Sequence, residues 1–209
     1  SLQNALNDLQ QAISHNPPHI SWYQLTIEPN TRFHSKPPAL PSDDILWDIQ
    51  TRGQALLAEN GYQQYEVSAY GQPNHQCDQN LNYWRFGDYL GIGCGAHGKI
   101  TNPADYSIIR TEKVKHPKGY MDLTKSYLYK KAKVADIDLS FEFFMNRFRL
   151  IEPCPKDAFL SLTGRTLNAN EQAIISKLIN KGLLIDSVND WQVSELGRRY
   201  LNTVLEEFV

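Results

Sequence analysis

The chain has 209 residues, 41% of them hydrophobic and 21% charged, with a formal net charge of −2. Those values suit a globular protein with a sizeable core, exclude collagen-like and disordered classes, and give no global bias towards nucleic acid. No stretch reaches the ~18 apolar residues of a membrane span, and the N-terminus lacks the basic start and apolar centre of a signal peptide, so a cytoplasmic location is expected.

The first 13 residues place Leu2, Ala5, Leu6, Leu9, Ala12 and Ile13 at helical spacing, and Asn16-Pro17-Pro18 stops the pattern. No capping residue is evident ahead of it, which is the expectation for a piece of a longer protein. "HISWYQLTIEP" is β-branched and aromatic and reads as a strand closed by Pro29 and Asn30. After a proline-containing loop, Ser42 with Asp43 and Asp44 opens a helix that ends at Gly61. "YQQYEVSAY" then reads as a second strand. Strand, helix, strand is a βαβ unit, so the expectation is a parallel pair within an α/β sheet or barrel. Ligands sit at the carboxyl ends of such strands, which directs attention to Thr26, Ile27 and Glu28 and to Glu66, Val67 and Ser68. Glu28 and Glu66 are read either as acid–base groups or as polar anchors.

The window "CDQNLNYWRFGDYLGIGCGAHGK", residues 77–99, joins core-like aromatics to a loop-like run of glycines. Tyr83 and Trp84 offer flat faces with amide and guanidinium donors beside them. Gly91, Gly93, Gly95 and Gly98 permit positive φ and close backbone approach, as a phosphate, ribose or flat cofactor requires. The spacing is not that of a dinucleotide-binding loop. The three cysteines, Cys77, Cys94 and Cys154, are too far apart for a CxxC metal site and are expected as partly buried thiols. Cys94 and His97 alone are too few to hold a metal.

Residues 98–133 carry nine Lys or Arg against three acids, Asp105, Glu112 and Asp122. They read as solvated loops and hairpins, or as a basic rim for an anionic ligand or membrane surface. Residues 136–138 look like a hinge, dividing the chain into 1–135 and 136–209. Beyond it, "SFEFFMNRFRLIE" is a helix capped by Ser140, a short helix follows near Pro155, and a third runs from Asn170 to Gly182. A hairpin turns at Asn189-Asp190, and Ser194 caps a last helix through Glu207. This order suggests a winged-helix-like module. Its eight Lys or Arg against nine acids lack the positive excess of a phosphate-binding face, so no nucleic-acid partner is expected.

"SWYQLTIEPNT", "YEVSAYGQPNHQCDQNLNYWRFGDYLGIGCGAHG" and "FEFFMNRFRL" together resemble the C-terminal portion of the oxygen-independent coproporphyrinogen III oxidase-like radical-SAM proteins, and most closely their heme-chaperone branch, HemW. The resemblance implies an α/β fold: the last part of a partial (β/α)6 barrel, with residues 19–28 and 62–69 as its fifth and sixth strands, followed by a mostly helical domain. It implies a [4Fe-4S] cluster and S-adenosylmethionine in the full-length protein, with the CxxxCxxC cluster cysteines in a barrel half that precedes this chain. No metal ligands and no radical chemistry are then expected of this chain alone. Thr26, Gly93, Ala96 and His97 fall where the family holds S-adenosylmethionine. The oxidase branch decarboxylates coproporphyrinogen III to protoporphyrinogen IX, whereas the chaperone branch binds heme and delivers it to heme proteins. The chaperones' HNxxYW motif is matched by Asn80, Tyr83 and Trp84, but Gln79 stands where the proposed heme-ligating histidine would be. A neutral amide is a poor iron ligand, so His75 and Cys77, within four residues, become the alternative heme ligands.

Overall fold

Leu9 and Leu57 anchor the first half of the chain: each lies on a helix, and together with Ile20, Tyr62 and Tyr70 they form a buried apolar cluster. A computed structural model describes residues 1–209, and the chain divides into two units, Ser1–Cys77 and Asp78–Val209. The expected hinge at residues 136–138 lies inside the second unit. There Ile108 and Val134 of the basic segment share one core with the C-terminal helices.

In the first unit, α1 (Leu2–Ser14) does have a cap, since Ser1 Oγ accepts from Asn4 N at 3.4 Å, contrary to the expectation. Next come β1 (His19–Ser21), a short α2 (Arg32–Ser35) capped by Thr31, and α3 (Asp43–Glu59), which places two aspartates at its positive N-terminal end. Gly53 sits in mid-helix against the Trp22 ring, where an added Cβ would lie 2.0 Å from a ring carbon. Gly61, at φ +84°, ends the helix.

The parallel βαβ pair is corrected by the structure. "YQQYEVSAY" is two strands, β2 (Gln63–Gln64) and β3 (Ala69–Gly71), joined by a turn in which Tyr65 N donates to Ala69 O. Both β1 and β2 pair antiparallel with β3, so the strands flanking α3 run in the same direction but are separated by β3. β1 also stops at Ser21, and residues 22–29 form no regular element although their composition is strand-like. A strand needs a neighbour for its backbone groups. After Trp22 N, which donates to Ser68 O, no backbone bond holds residues 23–28 to a neighbouring strand.

The second unit opens with α4 (Asp78–Trp84) and a three-stranded antiparallel sheet of β4 (His97–Thr101), β5 (Ile108–Lys113) and β6 (Leu128–Lys133), with α5 (Pro117–Tyr120) between the last two. A 3-10 turn (Asp136–Asp138) leads to α6 (Leu139–Arg147), β7 (Cys154–Pro155), α7 (Ala158–Thr163) and α8 (Ala169–Asn180). β8 (Leu184–Asp186), β9 (Asp190–Val193), α9 (Glu195–Arg199) and α10 (Leu201–Glu206) complete it, with the last sheet ordered β7-β9-β8. The cap of α6 is Asp138, not Ser140, which is buried in the first turn. α8 carries a full capping box between Asn168 and Glu171. Ser194 caps α9 as expected, but Tyr200, at φ −116° and ψ 37°, breaks the last helix in two. The core of this unit is aromatic: Phe144 touches the rings of Phe143, Phe148, Phe159, Trp191 and Phe208.

Candidate functional site

The Asn-Tyr-Trp-Arg-Phe run ends in a strained residue that a buried cation holds in place. Phe86 has φ +66°, a conformation costing about 1–3 kcal/mol in a bulky side chain, and its ring is buried against Phe143. Lys99, 2% exposed, reaches under it from β4. Its Nζ donates to Phe86 O at 3.0 Å, to Asp88 Oδ1 at 2.7 Å and to Thr101 Oγ1 at 3.1 Å, and lies 4.2 Å from the Phe86 ring centroid. Burial pushes the Lys99 pKa down while the Asp88 carboxylate opposes it. Lys99 therefore does not belong to the solvated basic rim its sequence neighbours suggest.

Nearby, Glu152 takes both nitrogens of the Arg85 fork, at 2.9 and 2.6 Å, and Arg147 Nη1 at 3.0 Å. Arg165 grips the buried Glu171 in the same two-point manner, both bonds at 2.8 Å. The hydrogen bonds from Arg85, outweighing burial, hold the Glu152 carboxyl below its ordinary value. For Glu171 and Asp88, burial pushes upward but is overcome by Arg165 and the Asn168 amide in one case and by Lys99 and Thr101 in the other. All three carboxylates thus bind protons less readily in the folded chain than in the unfolded one. Their stabilisation is complete above the ordinary carboxylate range, near pH ~4, and is lost as pH falls through the lowered folded values. The melting temperature of the second unit is accordingly expected to fall between about pH 5 and pH 3. In Glu171→Gln that acid limb becomes shallower; a thermal scan series in which the slope is unchanged contradicts the assignment.

The glycine run has mixed causes. A Cβ on Gly91 would lie 2.2 Å from His97 O, and one on Gly98 would lie 2.6 Å from Thr111 Oγ1. Those two glycines are required by close packing of the chain on itself. Gly93, at φ +107°, differs: an added Cβ meets nothing within 4 Å, and its N–H donates to the Tyr120 hydroxyl at 3.0 Å. Ala96 uses both backbone groups internally, its N donating to Gly93 O at 3.3 Å and its O accepting from Lys113 N at 2.9 Å.

His97 stands exposed on β4 and lines a cavity of about 340 Å3 with Tyr89, Arg110, Glu142, Met145 and Asn146. Arg110 donates to the Tyr89 hydroxyl at 3.0 Å and pairs with Glu142, so the positive charge in this cavity is already balanced. Asn146 Nδ2 donates to Glu142 O at 2.7 Å. The volume suits a small polar ligand. Sequence reasoning singled out only His97 of this group, since Arg110 and Glu142 are 32 positions apart and meet only through the fold.

Thr26 lies in the first unit, exposed and outside any strand, whereas Gly93, Ala96 and His97 lie in the second. Glu28 is exposed; Glu66 is buried, 3.4 Å from Ser68 Oγ. Of the cysteines, Cys154 is buried with its thiol pKa pushed up by burial, Cys77 is intermediate and Cys94 is exposed, against the expectation of three partly buried thiols. No group of three or more His, Cys, Asp or Glu side chains is placed to hold a metal ion.

Among the heme-binding candidates, Gln79 is exposed on the first turn of α4, and Asn80 and Trp84 share one helix face four residues apart. Tyr83 packs edge-on against Tyr89, at 4.4 Å between ring centroids, and the Arg149 guanidinium covers Trp84 at 5.4 Å. The two aromatics therefore each have a neighbour in place and do not form a bare platform. Trp84 Nε1, however, is buried without a hydrogen-bond partner, a donor left over by the fold. Cys77 N donates to the Tyr65 hydroxyl at 3.2 Å. The exposed His75 turns Nδ1 onto Pro73 O at 2.9 Å. A carbonyl only accepts, so Nδ1 carries the proton and Nε2 presents its lone pair outward, the arrangement usual in metal-binding histidines.

No family model matches the chain. It is 54% identical over all 209 residues to the heme chaperone HemW of Escherichia coli, covering 54% of that protein. The chain matches the HemW heme chaperones along its whole length. The HemW of Haemophilus influenzae is likewise 54% identical over all 209 residues and 54% covered, so the chain spans about half the length of the curated relatives it matches. The solved structure described as coproporphyrinogen III oxidase (HemN) from Escherichia coli, a radical SAM enzyme, superposes with a TM-score of 0.74 over 100% of this chain and 51% of that one. At 18% identity that likeness establishes a shared α/β fold and nothing about activity.

Proposed function

We propose that this chain is the C-terminal portion of a HemW-like radical-SAM protein and that its role is to bind heme and pass it to heme-requiring proteins in the cytoplasm. The observation that carries the reading is the 54% identity to two heme chaperones over all 209 residues, against 18% to the oxidase. Two features, one in each unit, support it. His75 offers an outward Nε2 within four residues of Gln79, and the unpartnered Trp84 Nε1 is a donor suited to a ligand's polar edge. Axial ligation is assigned to His75 in preference to Cys77, because an imidazole needs no deprotonation near neutral pH.

The residues present do not fit a [4Fe-4S] cluster, since its thiolate ligands would have to come from three cysteines scattered over both units, one of them buried in an apolar core. On this reading the cluster belongs to a barrel half outside this chain, and that half also supplies the neighbours that residues 23–28 lack. S-adenosylmethionine would meet here the open backbone at Gly93 and the imidazole of His97, and no radical step is assigned to this chain.

The test separates chaperone from oxidase. Full-length protein with its cluster, S-adenosylmethionine and a reductant is incubated with coproporphyrinogen III, and separately titrated with hemin. Hemin binding without decarboxylation is the expected result; formation of protoporphyrinogen IX refutes the chaperone reading.

A further inference from the structure

Within the second unit α4 packs on α6, and each helix leaves that contact through arginines: Arg85 follows the last residue of α4, Arg147 ends α6, and Arg149 lies two residues beyond it. Glu152 is the acid that meets this group, and it is consumed by the first two, with Arg85 on both its oxygens and Arg147 Nη1 on one at 3.0 Å. Arg110 and Arg165 of the same unit likewise hold Glu142 and Glu171. Arg149 is the exception and enters no ion pair. The seam therefore keeps a local positive excess in a chain whose net charge is −2.

Arg149 is nevertheless held in place. Its Nε donates to Met145 O at 3.1 Å, and its guanidinium lies 5.4 Å from the Trp84 ring centroid. A solvated surface arginine gains little from such constraint and loses side-chain entropy to it. With Nε engaged, the two terminal nitrogens are left as a planar fork, and a fork of N–H donors matches the two oxygens of a carboxylate. The ring under it carries a second unused donor, the buried Trp84 Nε1. The side chain is half-buried, so a carboxylate paired there is screened less than one on an open surface.

The geometry points to Arg149 as the residue that takes a propionate carboxylate of the bound heme. The assignment rests on the heme-binding reading above and adds to it the group that recognises the acidic edge of the ligand rather than its iron. Heme propionates are ionised at neutral pH and stand at one edge of a flat apolar ring, so a cation on an indole face meets both parts of that edge.

The test compares hemin with hemin dimethyl ester, which has the same iron and ring but esterified propionates, on the 209-residue chain. The parent is expected to bind hemin about tenfold more tightly than the ester. Arg149→Gln should weaken hemin about tenfold, leave the Soret maximum of the saturated complex where it was, and leave ester affinity unchanged; Arg149→Lys should recover part of the loss. Lys130→Gln, the same loss of charge at an exposed position of β6, should bind both ligands as the parent does. A parent that does not discriminate the ester, an Arg149→Gln variant that loses both ligands equally, or an equal loss in Lys130→Gln overturns the assignment. The second of these results would leave Arg149 as a cap on the α6 carbonyls. S-adenosylmethionine also carries a carboxylate: if excess S-adenosylmethionine displaces hemin from the parent but not from Arg149→Gln, the fork belongs to that ligand and the assignment fails. A folded parent that binds no hemin refutes the heme-binding reading and this one with it, whereas hemin binding that ignores esterification refutes this one alone.

Discussion

Replacing Phe144 with alanine is expected to lower the unfolding free energy of the second unit by about 3–5 kcal/mol. Phe144 is 0% exposed and meets five aromatic rings, with centroids between 4.6 and 6.1 Å. Its stack with Phe208 ties α6 to the C-terminus, while its stack with Phe159 and its edge-on contact with Trp191 tie it to α7 and β9. Alanine removes the ring from three directions at once, and surrounding aromatics are too rigid to collapse into the space. In a urea titration the midpoint should fall with little change in slope, because the surface exposed on unfolding is nearly the same. Val188→Ala, at a position 91% exposed, is the comparison and should stay within about 0.5 kcal/mol of the parent. A loss under ~1 kcal/mol in Phe144→Ala would mean that the aromatic cluster is not the centre of this unit.

The second large effect concerns iron ligation. Gln79→His places an imidazole on an exposed first turn of α4, next to Asn80 and four residues before Tyr83, and should tighten hemin binding about tenfold or more. His75→Ala removes the outward Nε2 and should weaken binding by a similar factor and change the Soret band, since the iron then loses its protein ligand. Combining the two should restore a ligated spectrum through the new histidine. If hemin binds but His75→Ala leaves both affinity and spectrum unchanged, the assignment of His75 fails while heme binding stands.

Helices were the legible part of the fold. The amphipathic spacing before Asn16, the Ser42-Asp43-Asp44 start, Gly61 and Gly182 at helix ends and the Ser194 cap are local signals, and the structure uses all of these positions. Strands were not legible to the same degree, because a strand exists only by its partners. Tyr62 to Tyr70 looks continuous by composition, yet a turn at residues 65–68 folds it back, and residues 23–28 have strand residues without a neighbour. In the site, the glycine run was visible, but two of its causes were not: Gly91 and Gly98 pack against the chain's own backbone and side chains. Lys99 was hidden among exposed lysines, and its role under Phe86 depends on β4 passing beneath the α4 exit. The Arg110–Glu142 pair and the Arg85–Glu152–Arg147 group join residues far apart in sequence, where no spacing rule operates.

Heme handling is tested most directly by titrating the 209-residue chain with hemin and following the Soret band. The account predicts a saturable, equimolar complex with a shifted Soret maximum that is sensitive to His75→Ala. A hemin spectrum that stays that of the free ligand throughout the titration, with the chain folded by circular dichroism, would contradict it.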